Sequence, residues 1–498
     1  MNKLLGTLFN TTIIKTRMEQ FNSSLKSWID SEKAATELIG VIGCLWYDKS
    51  IELILLRSVL VNRGAGKILN KHIRAETILK KPVRVQDSLL IARAILAQEV
   101  APARIDIGRL NSEWTDEKHM YADVHAFVAD KLKAFINVKP RSNKTQDVVL
   151  YGFGRIGRLL ARELALFAGD GSHLRLRAIV TRSNSADDIR KRISLFRKDS
   201  VHGTFNGVAN EDLENKAMVV NGQIIKFIAA NNPEDIDYEA EGIFDALVID
   251  NTGVFRDREN LSRHLKSKGV SKVLLTAPGK GDIPNIVYGV NQNSVDIDLE
   301  RIFSAASCTT NAIVPGLEVL EKKIGVVKGH IETIHAYTND QNLLDNYHKK
   351  TRRGRSAPLN MVITETGAGS AAAKAIPSLK GKLTSNAVRV PVPNVSLAIL
   401  TVELNRPSSL EEINEMFLDA SLRGTLIEQI RYSNSTEFVS SDGIGDSCAC
   451  IYDSPATQVS ADGKTVIVYL WYDNEFGYTS QVIRLARHLG KVKSYRYY

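Results

Sequence analysis

The sequence has few cysteines and no long apolar run. Its 498 residues include only four cysteines: Cys44, Cys308, Cys448 and Cys450. None of them forms the CxxC pair of a metal or redox site, so we expect no disulfide framework, no bound metal and a reducing, cytoplasmic compartment. No apolar stretch approaches the roughly 20 residues that cross a bilayer, and the N-terminus lacks a convincing signal-peptide cleavage site. A non-exported protein without a membrane partner is therefore expected.

The composition lacks any strong bias, but the charge is unevenly distributed. Hydrophobic residues make up 44% and charged residues 24%, which excludes disordered, collagen-like and coiled-coil classes for the whole chain. The length predicts two to four domains. Of the net charge of +9, nearly all lies in the first 145 residues, which hold 23 Lys and Arg against 15 Asp and Glu. Because acidic residues interleave there and no basic run carries stacking aromatics, a solvated helical surface is favoured over nucleic-acid binding.

The chain changes character near residue 145. Before it, apolar residues recur at helical spacing from Val124 to Ile136, and Asp87-Ser88 predicts the cap of a helix that continues to residue 100. A polar, proline-containing stretch over 137–147 predicts a linker. After it, short apolar runs alternate with helical segments, which predicts a parallel sheet with helices on both faces. We expect the extension to pack on the catalytic body or between subunits.

A glycine-rich turn follows the first of these strands. Gly152, Gly154 and Gly157 form a GxGxxG pattern that leaves the run Val148–Tyr151 and opens a helix. The first glycine permits the tight turn, the second lets the backbone approach a pyrophosphate, and the third lets helix and strand pack closely. The helix N-terminus supplies N–H donors for the anion. The context predicts a dinucleotide site over a plain strand-to-helix turn.

The acidic residue that usually accompanies this turn is missing. The next strand ends in Thr181-Arg182, where a carboxylate would bind the ribose 2′-hydroxyl. A hydroxyl and a guanidinium would tolerate a 2′-phosphate, so we expect use of NADP, alone or beside NAD. In the alternative, Asp187 or Asp188 folds back to take the carboxylate's place.

The strongest catalytic signal is a cysteine followed by a helix. Cys308 stands in SAASCTTN, and His335 follows 27 residues later in TIHAYT. A helix N-terminus favours the thiolate, and a returning strand would bring the imidazole near enough to lower the thiol pKa and to act as general acid and base. A lone cysteine or histidine is more often structural, but this pair in these contexts predicts a nucleophile and its activator.

Here the chain resembles the phosphorylating glyceraldehyde-3-phosphate dehydrogenase family. The matching stretches run in family order over about 350 residues: YGFGRIGR, DSVHG, NTGVF, TAP, SAASCTTN, IHAYT, ETGAGSAAAKAIP, LTSNAVRVPVPNVS and WYDNEFGY. The first 145 residues lie outside this resemblance and look like the extension of some longer bacterial members. The resemblance implies glyceraldehyde 3-phosphate and inorganic phosphate as substrates, and a homotetramer.

The resemblance also implies roles for individual residues. Cys308 matches the nucleophile and His335 its activator. The residues that match groups holding the substrate phosphate and the attacking phosphate are Ser307, Thr309, Thr338, Thr366, Gly367 and Arg389, with Arg353 or Arg355 joining them. Those that match cofactor contacts are Gly152, Gly154, Arg155, Ile156, Gly157, Thr276 and Asn474, the last placed for the nicotinamide amide.

Two departures from the family concern the cofactor. The NAD-selecting aspartate of the family aligns with Thr181, beside Arg182, and an arginine near the adenosine aligns with Asn231. Both put strict NAD preference in doubt and leave the catalytic prediction unchanged. The alternative activity is that of erythrose-4-phosphate dehydrogenase, which uses water in place of phosphate. Thr338 and the Thr366-Gly367 pair favour the phosphorylating reaction. A regulatory or nucleic-acid-binding role of the basic extension is a further alternative.

The predicted architecture is α/β in three parts. A mostly helical extension covers 1–145. A Rossmann-type doubly wound parallel sheet covers 146–307 and is completed by 473–498, a discontinuity that only the resemblance implies. An α+β catalytic domain covers 308–472.

Overall fold

The chain forms two compact units in a computed structural model. The structure describes residues 2–139, 145–166 and 173–498, with side chains from Phe21 onward. The first unit is Met1–Arg141 together with Ser494–Tyr498, and the second is Ser142–Lys493. Residues 140–144 of the predicted linker lie outside the described residues. In the described part, no helix is long and apolar enough to span a membrane.

The first unit is mostly helical, as predicted, but it also contains a small sheet. Its elements are α1 (Asn2–Lys49), β1 (Glu52–Leu55), β2 (Ser58–Val59), α2 (Ala65–Leu79), α3 (Val85–Leu96), β3 (Ala103–Asp106), α4 (Ile107–Glu117) and α5 (Val124–Lys131). Strand β1 pairs with β2 antiparallel and with β3 parallel. A strand from the far end of the chain, Tyr495–Tyr497, extends the sheet by pairing with β3. The sequence analysis placed this segment in the cofactor domain.

Two helices of this unit differ in their bounds from the sequence pattern. Helix α3 begins at Val85 after Arg84, so Asp87 and Ser88 lie inside its first turn and do not cap it. The hydroxyl of Ser88 instead meets His72 in the core. Helix α5 ends at Lys131, so the apolar pattern that continues to residue 136 belongs to a turn and a bridge.

The cofactor-domain part of the second unit is a doubly wound sheet. Its elements are β4 (Gln146–Tyr151), α6 (Arg155–Leu166), β5 (Leu174–Thr181), α7 (Ala186–Arg197), β6 (Lys198–Asp199), β7 (Gly203–Thr204), β8 (Ala209–Asp212), β9 (Ala217–Val220), β10 (Gln223–Ala229), β11 (Ala246–Asp250), α8 (Arg258–Ser262), β12 (Val270–Leu275) and β13 (Ile302–Ser304). The strand order is β13-β12-β11-β4-β5-β10-β9-β8, parallel as far as β10 and antiparallel at β9 and β8. The order reverses at β4, so the glycine turn after β4 opens where such sheets bind ligands.

The catalytic part is a helix-backed mixed sheet. Its elements are α9 (Cys308–Lys323), β14 (Val326–Ala336), β15 (Val362–Thr364), α10 (Ala368–Ala375), β16 (Leu383–Val390), β17 (Ser396–Leu404), α11 (Leu410–Leu422), β18 (Ile430–Ser433), β19 (Cys450–Asp453), β20 (Gln458–Val459) and β21 (Thr465–Tyr472). The strand order is β15-β16-β14-β17-β21-β19-β18, with β20 beside β21. Helices α9, α10 and α11 share one apolar core with this sheet.

The last helix returns to the cofactor sheet. Helix α12 (Phe476–Leu489) contributes Tyr478, Val482 and Leu489 to the core formed by β4, β5 and α6, and the chain ends in β22 (Tyr495–Tyr497). The loop between β21 and α12 is therefore held from both sides, by the catalytic sheet and by the cofactor sheet. It carries Asn474, one of the predicted cofactor contacts.

Candidate active site

Cys308 is the first residue of α9. The preceding Ser307 caps the helix, because its hydroxyl accepts the N–H of Thr310 at 3.0 Å. The link from β13 to this cap is tight, and Ala306 has a φ of 56°, which a branched side chain would resist. The small residues before the cysteine therefore allow the turn that presents its sulfur at the helix N-terminus.

The structure brings His335 to Cys308, as the sequence predicts. His335 is the penultimate residue of β14, a central strand, and its Nε2 lies 3.5 Å from Cys308 Sγ. Its Nδ1 lies 2.7 Å from the carbonyl oxygen of Ala336 and 2.5 Å from Nη1 of Arg389. The carbonyl only accepts and the guanidinium only donates, so Nδ1 satisfies one of them at a time. When Nδ1 carries the proton and donates to the carbonyl of Ala336, Nε2 is ready to accept the thiol proton. When Nδ1 accepts from Arg389, Nε2 already carries a proton.

Burial controls the protonation of this pair. Desolvation and the charge of Arg389 lower the pKa of His335 to about 3, so the imidazole is neutral at pH 7. Desolvation of the sulfur raises the pKa of Cys308 above its ordinary value, against the opposing charge of Arg389. We expected the helix and His335 to favour the thiolate; the structure instead favours a thiol beside a neutral imidazole. Proton transfer from Sγ to Nε2 must then accompany nucleophilic attack.

Two arginines flank the pair. Arg389 lies opposite His335 in the β14–β16 register and is mostly buried. Arg353 lies close enough for its charge to lower the pKa of His335, and its Nη1 donates to Asp340 at 2.5 Å. Arg355 instead donates to Asp345, and 64% of its side chain is exposed. Of the two arginines that the sequence left open, Arg353 is the one whose charge acts on His335, while its side chain contacts Asp340 and Thr364.

The remaining predicted anion ligands are hydroxyl groups and a helix N-terminus. The hydroxyl of Thr338 donates to the carboxylate of Asp340, the partner of Arg353. Thr309 Oγ1 lies 3.0 Å from the hydroxyl of Tyr472. Thr366-Gly367 precedes α10, with Gly367 as its cap residue. In the described part of the chain, no hydrogen bond joins Thr366 or Gly367 to the Cys308–His335 pair.

The glycine turn fits a dinucleotide. Gly152 has a φ of 100°, which favours glycine. A Cβ at Gly157 would lie 2.5 Å from the carbonyl oxygen of Gly152, so helix and strand pack as closely as the pattern predicts. A Cβ at Gly154 would meet no atom within 4 Å, so the space in front of the turn is open on the side where a pyrophosphate would approach.

The two residues that follow Gly154 have different environments. Arg155 binds Asp199 through both Nη atoms, at 3.1 and 3.2 Å, and also binds Glu475, so its side chain joins three motifs of the cofactor domain. Its backbone remains at the start of α6, where N–H donors face an anion. Ile156 packs against the core of the cofactor sheet.

The end of β5 carries no free carboxylate. Thr181 donates its hydroxyl to the carbonyl of Ser183 at 2.7 Å, and Arg182 is exposed. Asp187 pairs with Arg190, and Asp188 accepts a hydrogen bond from Ser185. Both aspartates thus have partners within the first turn of α7, although 85% of the Asp187 side chain is exposed.

Three further predicted cofactor contacts lie at the ends of strands. The exposed Asn231 follows β10. Thr276 follows β12, and its hydroxyl donates to the carbonyl of Asp250 at 3.0 Å. Asn474 follows β21 and is buried, with Oδ1 accepting the hydroxyl of Ser396 at 2.9 Å.

Three side chains around this site had no role predicted from the sequence. Ser396, Tyr472 and Glu475 contact predicted site residues, yet no role was assigned to them. Each lies inside a stretch that matches the family, PNVS or WYDNEFGY. Their position in these stretches was therefore the only sign of a role, because no residue spacing marks them.

Comparisons with known proteins agree with this architecture. The model of the glyceraldehyde 3-phosphate dehydrogenase NAD-binding domain matches residues 146–258, and that of the C-terminal domain matches residues 307–474. A glyceraldehyde-3-phosphate dehydrogenase-like protein of Pseudomonas aeruginosa (strain UCBPP-PA14) is 46% identical over 91% of this chain and 98% of its own length. A match of that length includes most of the N-terminal extension.

Other relatives match about 70% of the chain. The glyceraldehyde-3-phosphate dehydrogenase of Pseudomonas aeruginosa PAO1 is 40% identical over 70% of this chain and 99% of its own length. The chloroplastic A form of Zea mays is 41% identical over 70% of this chain and 84% of its own length. The chain therefore belongs to the glyceraldehyde-3-phosphate dehydrogenase family, with a nicotinamide-dinucleotide domain of the Rossmann type.

Proposed function

We propose that the chain oxidises glyceraldehyde 3-phosphate, with NAD⁺ or NADP⁺ and inorganic phosphate, to 1,3-bisphosphoglycerate in glycolysis or gluconeogenesis. The observation that carries this proposal is the 3.5 Å contact between Cys308 Sγ and His335 Nε2, with Arg389 against the other ring nitrogen of His335. Membership of the family supports the same reaction.

The chemistry follows from the neutral pair. Cys308 Sγ attacks the aldehyde carbon while its proton passes to His335 Nε2 and on to the carbonyl oxygen, which forms a hemithioacetal. His335 then takes the hydroxyl proton as the hydride leaves, and a thioester remains on Cys308. A nicotinamide dinucleotide, when bound, accepts that hydride. A phosphate oxygen finally attacks the thioester carbon, and His335 returns the proton to the departing sulfur.

The arginines suit the two anions that this reaction needs. Arg389 places fixed positive charge beside His335, and the charge of Arg353 also acts on this histidine. The N-terminus of α10 lies at Gly367. Ser307, Thr309, Thr338 and Thr366 add hydroxyl groups. An aldehyde dehydrogenase that hydrolyses its thioester has no use for the second anion site, so this arrangement favours phosphate over water.

Steady-state oxidation of glyceraldehyde 3-phosphate with and without inorganic phosphate tests this proposal. Turnover that requires phosphate supports it. Turnover that ignores phosphate, with erythrose 4-phosphate as the better substrate, would instead indicate the erythrose-4-phosphate enzyme. The variant Cys308→Ser is the matched control, since it keeps the helix cap and removes the thiol.

We further infer that NADP serves as cofactor, alone or beside NAD. The support is that β5 ends in Thr181 at the position of the aspartate, followed by the exposed Arg182. The variant Thr181→Asp should lower kcat/KM for NADP⁺ at least about tenfold by charge repulsion and leave NAD⁺ use nearly unchanged. Equal loss with both cofactors would contradict a selectivity role.

We also propose a homotetramer. Support comes from the family resemblance and from large apolar side chains that one unit exposes between residues 343 and 363: Leu343, Leu344, Tyr347, Leu359, Met361 and Ile363. So much exposed apolar surface in one segment is typical of an interface. Light scattering at micromolar concentration tests it, and a monomer of 55 kDa would contradict it.

We propose the division into 1–145, 146–307 and 308–472, with 473–493 returning to the cofactor domain, as the domain organisation. The separate apolar cores of the two large sheets support it. A cytoplasmic location is proposed on chemical grounds, because no disulfide joins the cysteines in the described part of the chain and Cys308 must stay reduced.

A further inference from the structure

The amide of Asn474 is buried but only half satisfied. Its Oδ1 accepts the hydroxyl of Ser396 at 2.9 Å, and 8% of the residue is exposed. Among residues 2–139, 145–166 and 173–498, no group accepts a hydrogen bond from Asn474 Nδ2. Nδ2 is not one of the fully buried unpartnered atoms, so within this mostly buried residue the amide nitrogen faces an opening, where a ligand can supply the acceptor.

The loop that carries Asn474 is held rigidly. The carboxylate of Asp473 accepts the side-chain amide of Asn394 at 2.9 Å and the backbone N–H groups of Glu475 and Phe476 at 3.0 and 2.8 Å. The backbone on both sides of Asn474 is therefore fixed. What remains free is the rotation of the Asn474 amide, which decides whether oxygen or nitrogen faces the ligand.

Ser396 settles that rotation. Its Oγ accepts the backbone N–H of Ala336 at 3.1 Å and also meets the hydroxyl of Tyr472. Because Ser396 donates its one proton to Oδ1 of Asn474, the hydroxyl of Tyr472 must donate to Ser396 and accept from Thr309, which lies 3.0 Å away. In this arrangement both acceptor positions of Ser396 are used. A flipped amide would direct a third donor at Ser396 and would lose this bond. The network therefore turns Nδ2 away from Ser396.

We propose that Ser396 is a positioning residue that orients the Asn474 amide so that Nδ2 donates to the carboxamide oxygen of nicotinamide. This inference rests on the proposed function, in which Asn474 holds the nicotinamide. The same hydroxyl binds Ala336, the neighbour of His335. Ser396 thus connects the end of β14, which carries His335, to Asn474. In the proposed function Asn474 holds the nicotinamide ring that receives the hydride.

Binding measurements on the full chain test this assignment without relying on turnover. Dissociation constants of Ser396→Ala and the wild type are measured by calorimetry for NAD⁺, its 3-acetylpyridine and thionicotinamide analogues, and ADP-ribose. The acetylpyridine analogue keeps a carbonyl oxygen, the thio analogue replaces it with a poor acceptor, and ADP-ribose has no ring. Ser396→Thr keeps the hydroxyl. Ser421→Ala, which removes a buried hydroxyl of α11, is the matched control.

The expected pattern is specific to the carbonyl. Ser396→Ala should raise the dissociation constants of NAD⁺ and the acetylpyridine analogue roughly 5- to 10-fold, the loss expected for one hydrogen bond. It should change those of the thio analogue and ADP-ribose by less than about twofold, and Ser396→Thr should recover most of the loss. Equal weakening of all four ligands would mean a merely structural role, and unchanged NAD⁺ binding would overturn the proposal.

These outcomes are separate from those of the proposed reaction. A wild-type chain that binds NAD⁺ but does not oxidise glyceraldehyde 3-phosphate refutes the proposed function, whereas the ligand pattern still decides the role of Ser396. A wild-type chain with phosphate-dependent turnover and a carbonyl-independent Ser396→Ala defect refutes only the positioning role.

Discussion

Removing the charge of Arg389 should make the nucleophile less reactive through an effect on its pKa. The guanidinium lies 2.5 Å from Nδ1 of His335, and Nε2 of the same ring lies 3.5 Å from the sulfur of Cys308. The path across both contacts and the ring limits the distance between the charge and the sulfur to at most about 8 Å. At that distance and an effective dielectric constant of about 20, the interaction is roughly 2 kcal/mol, or about 1.5 pKa units. The variant Arg389→Gln should therefore raise the pKa of Cys308 by that amount.

Alkylation of Cys308 by iodoacetamide in the ligand-free protein, followed against pH, measures this shift. The wild type should show a single rise at alkaline pH and no step between pH 5 and 8, because burial lowers the pKa of His335 to about 3. In Arg389→Gln the rise should move to higher pH, and the rate at pH 7 should fall roughly 30-fold. Arg406→Gln, which breaks a surface pair with Glu412, should leave the profile unchanged. Coincident pH profiles of the wild type and Arg389→Gln would show that the charge of Arg389 does not lower the pKa of Cys308.

Three further predictions concern the turn, the cofactor domain and the first unit. Gly157→Ala should lower Tm, because the added Cβ would lie 2.5 Å from a carbonyl oxygen. Gly154→Ala, whose Cβ meets no atom, should keep Tm and weaken dinucleotide binding. Equal Tm values for the two variants would contradict this prediction. Burial raises the pKa of Glu163 to about 7, above its ordinary 4.5, so its contribution to stability is lost as pH rises through 7. Glu163→Gln should then raise the free energy of unfolding at pH 8 by up to about 3 kcal/mol and little at pH 5, as measured by denaturation. Ser88→Ala removes the hydroxyl that the buried imidazole of His72 and the side-chain amide of Asn111 share. Amide hydrogen exchange in α2, α3 and α4 should therefore become faster. Unchanged exchange would show that this contact does not stabilise the first unit.

The sequence predicted that Cys308 and His335 lie together because local chemistry and chain order were enough. A cysteine with small residues before it and a helix after it has few conformations, and a strand that follows the helix brings His335 back to its N-terminus. The glycine turn was predictable for the same reason, since Gly152 and Gly157 occupy positions where a side chain is strained or blocked.

Features that depend on distant segments were not predictable. The choice between Arg353 and Arg355 depends on how one loop folds against Asp340 and Asp345. In the sheet of the first unit, β3 pairs with β22 from the other end of the chain. The sequence pattern near residue 103 does not indicate that pairing. The raised pKa of Cys308 depends on desolvation, which a motif does not encode.

Mass spectrometry of the protein mixed with glyceraldehyde 3-phosphate and oxidised dinucleotide, with phosphate omitted, tests the central claim most directly. The proposed reaction predicts a phosphoglyceroyl adduct on the peptide that contains Cys308, formed with one equivalent of reduced dinucleotide and lost when phosphate is added. Reduced dinucleotide without an adduct on Cys308, or an adduct that persists in phosphate, would contradict it.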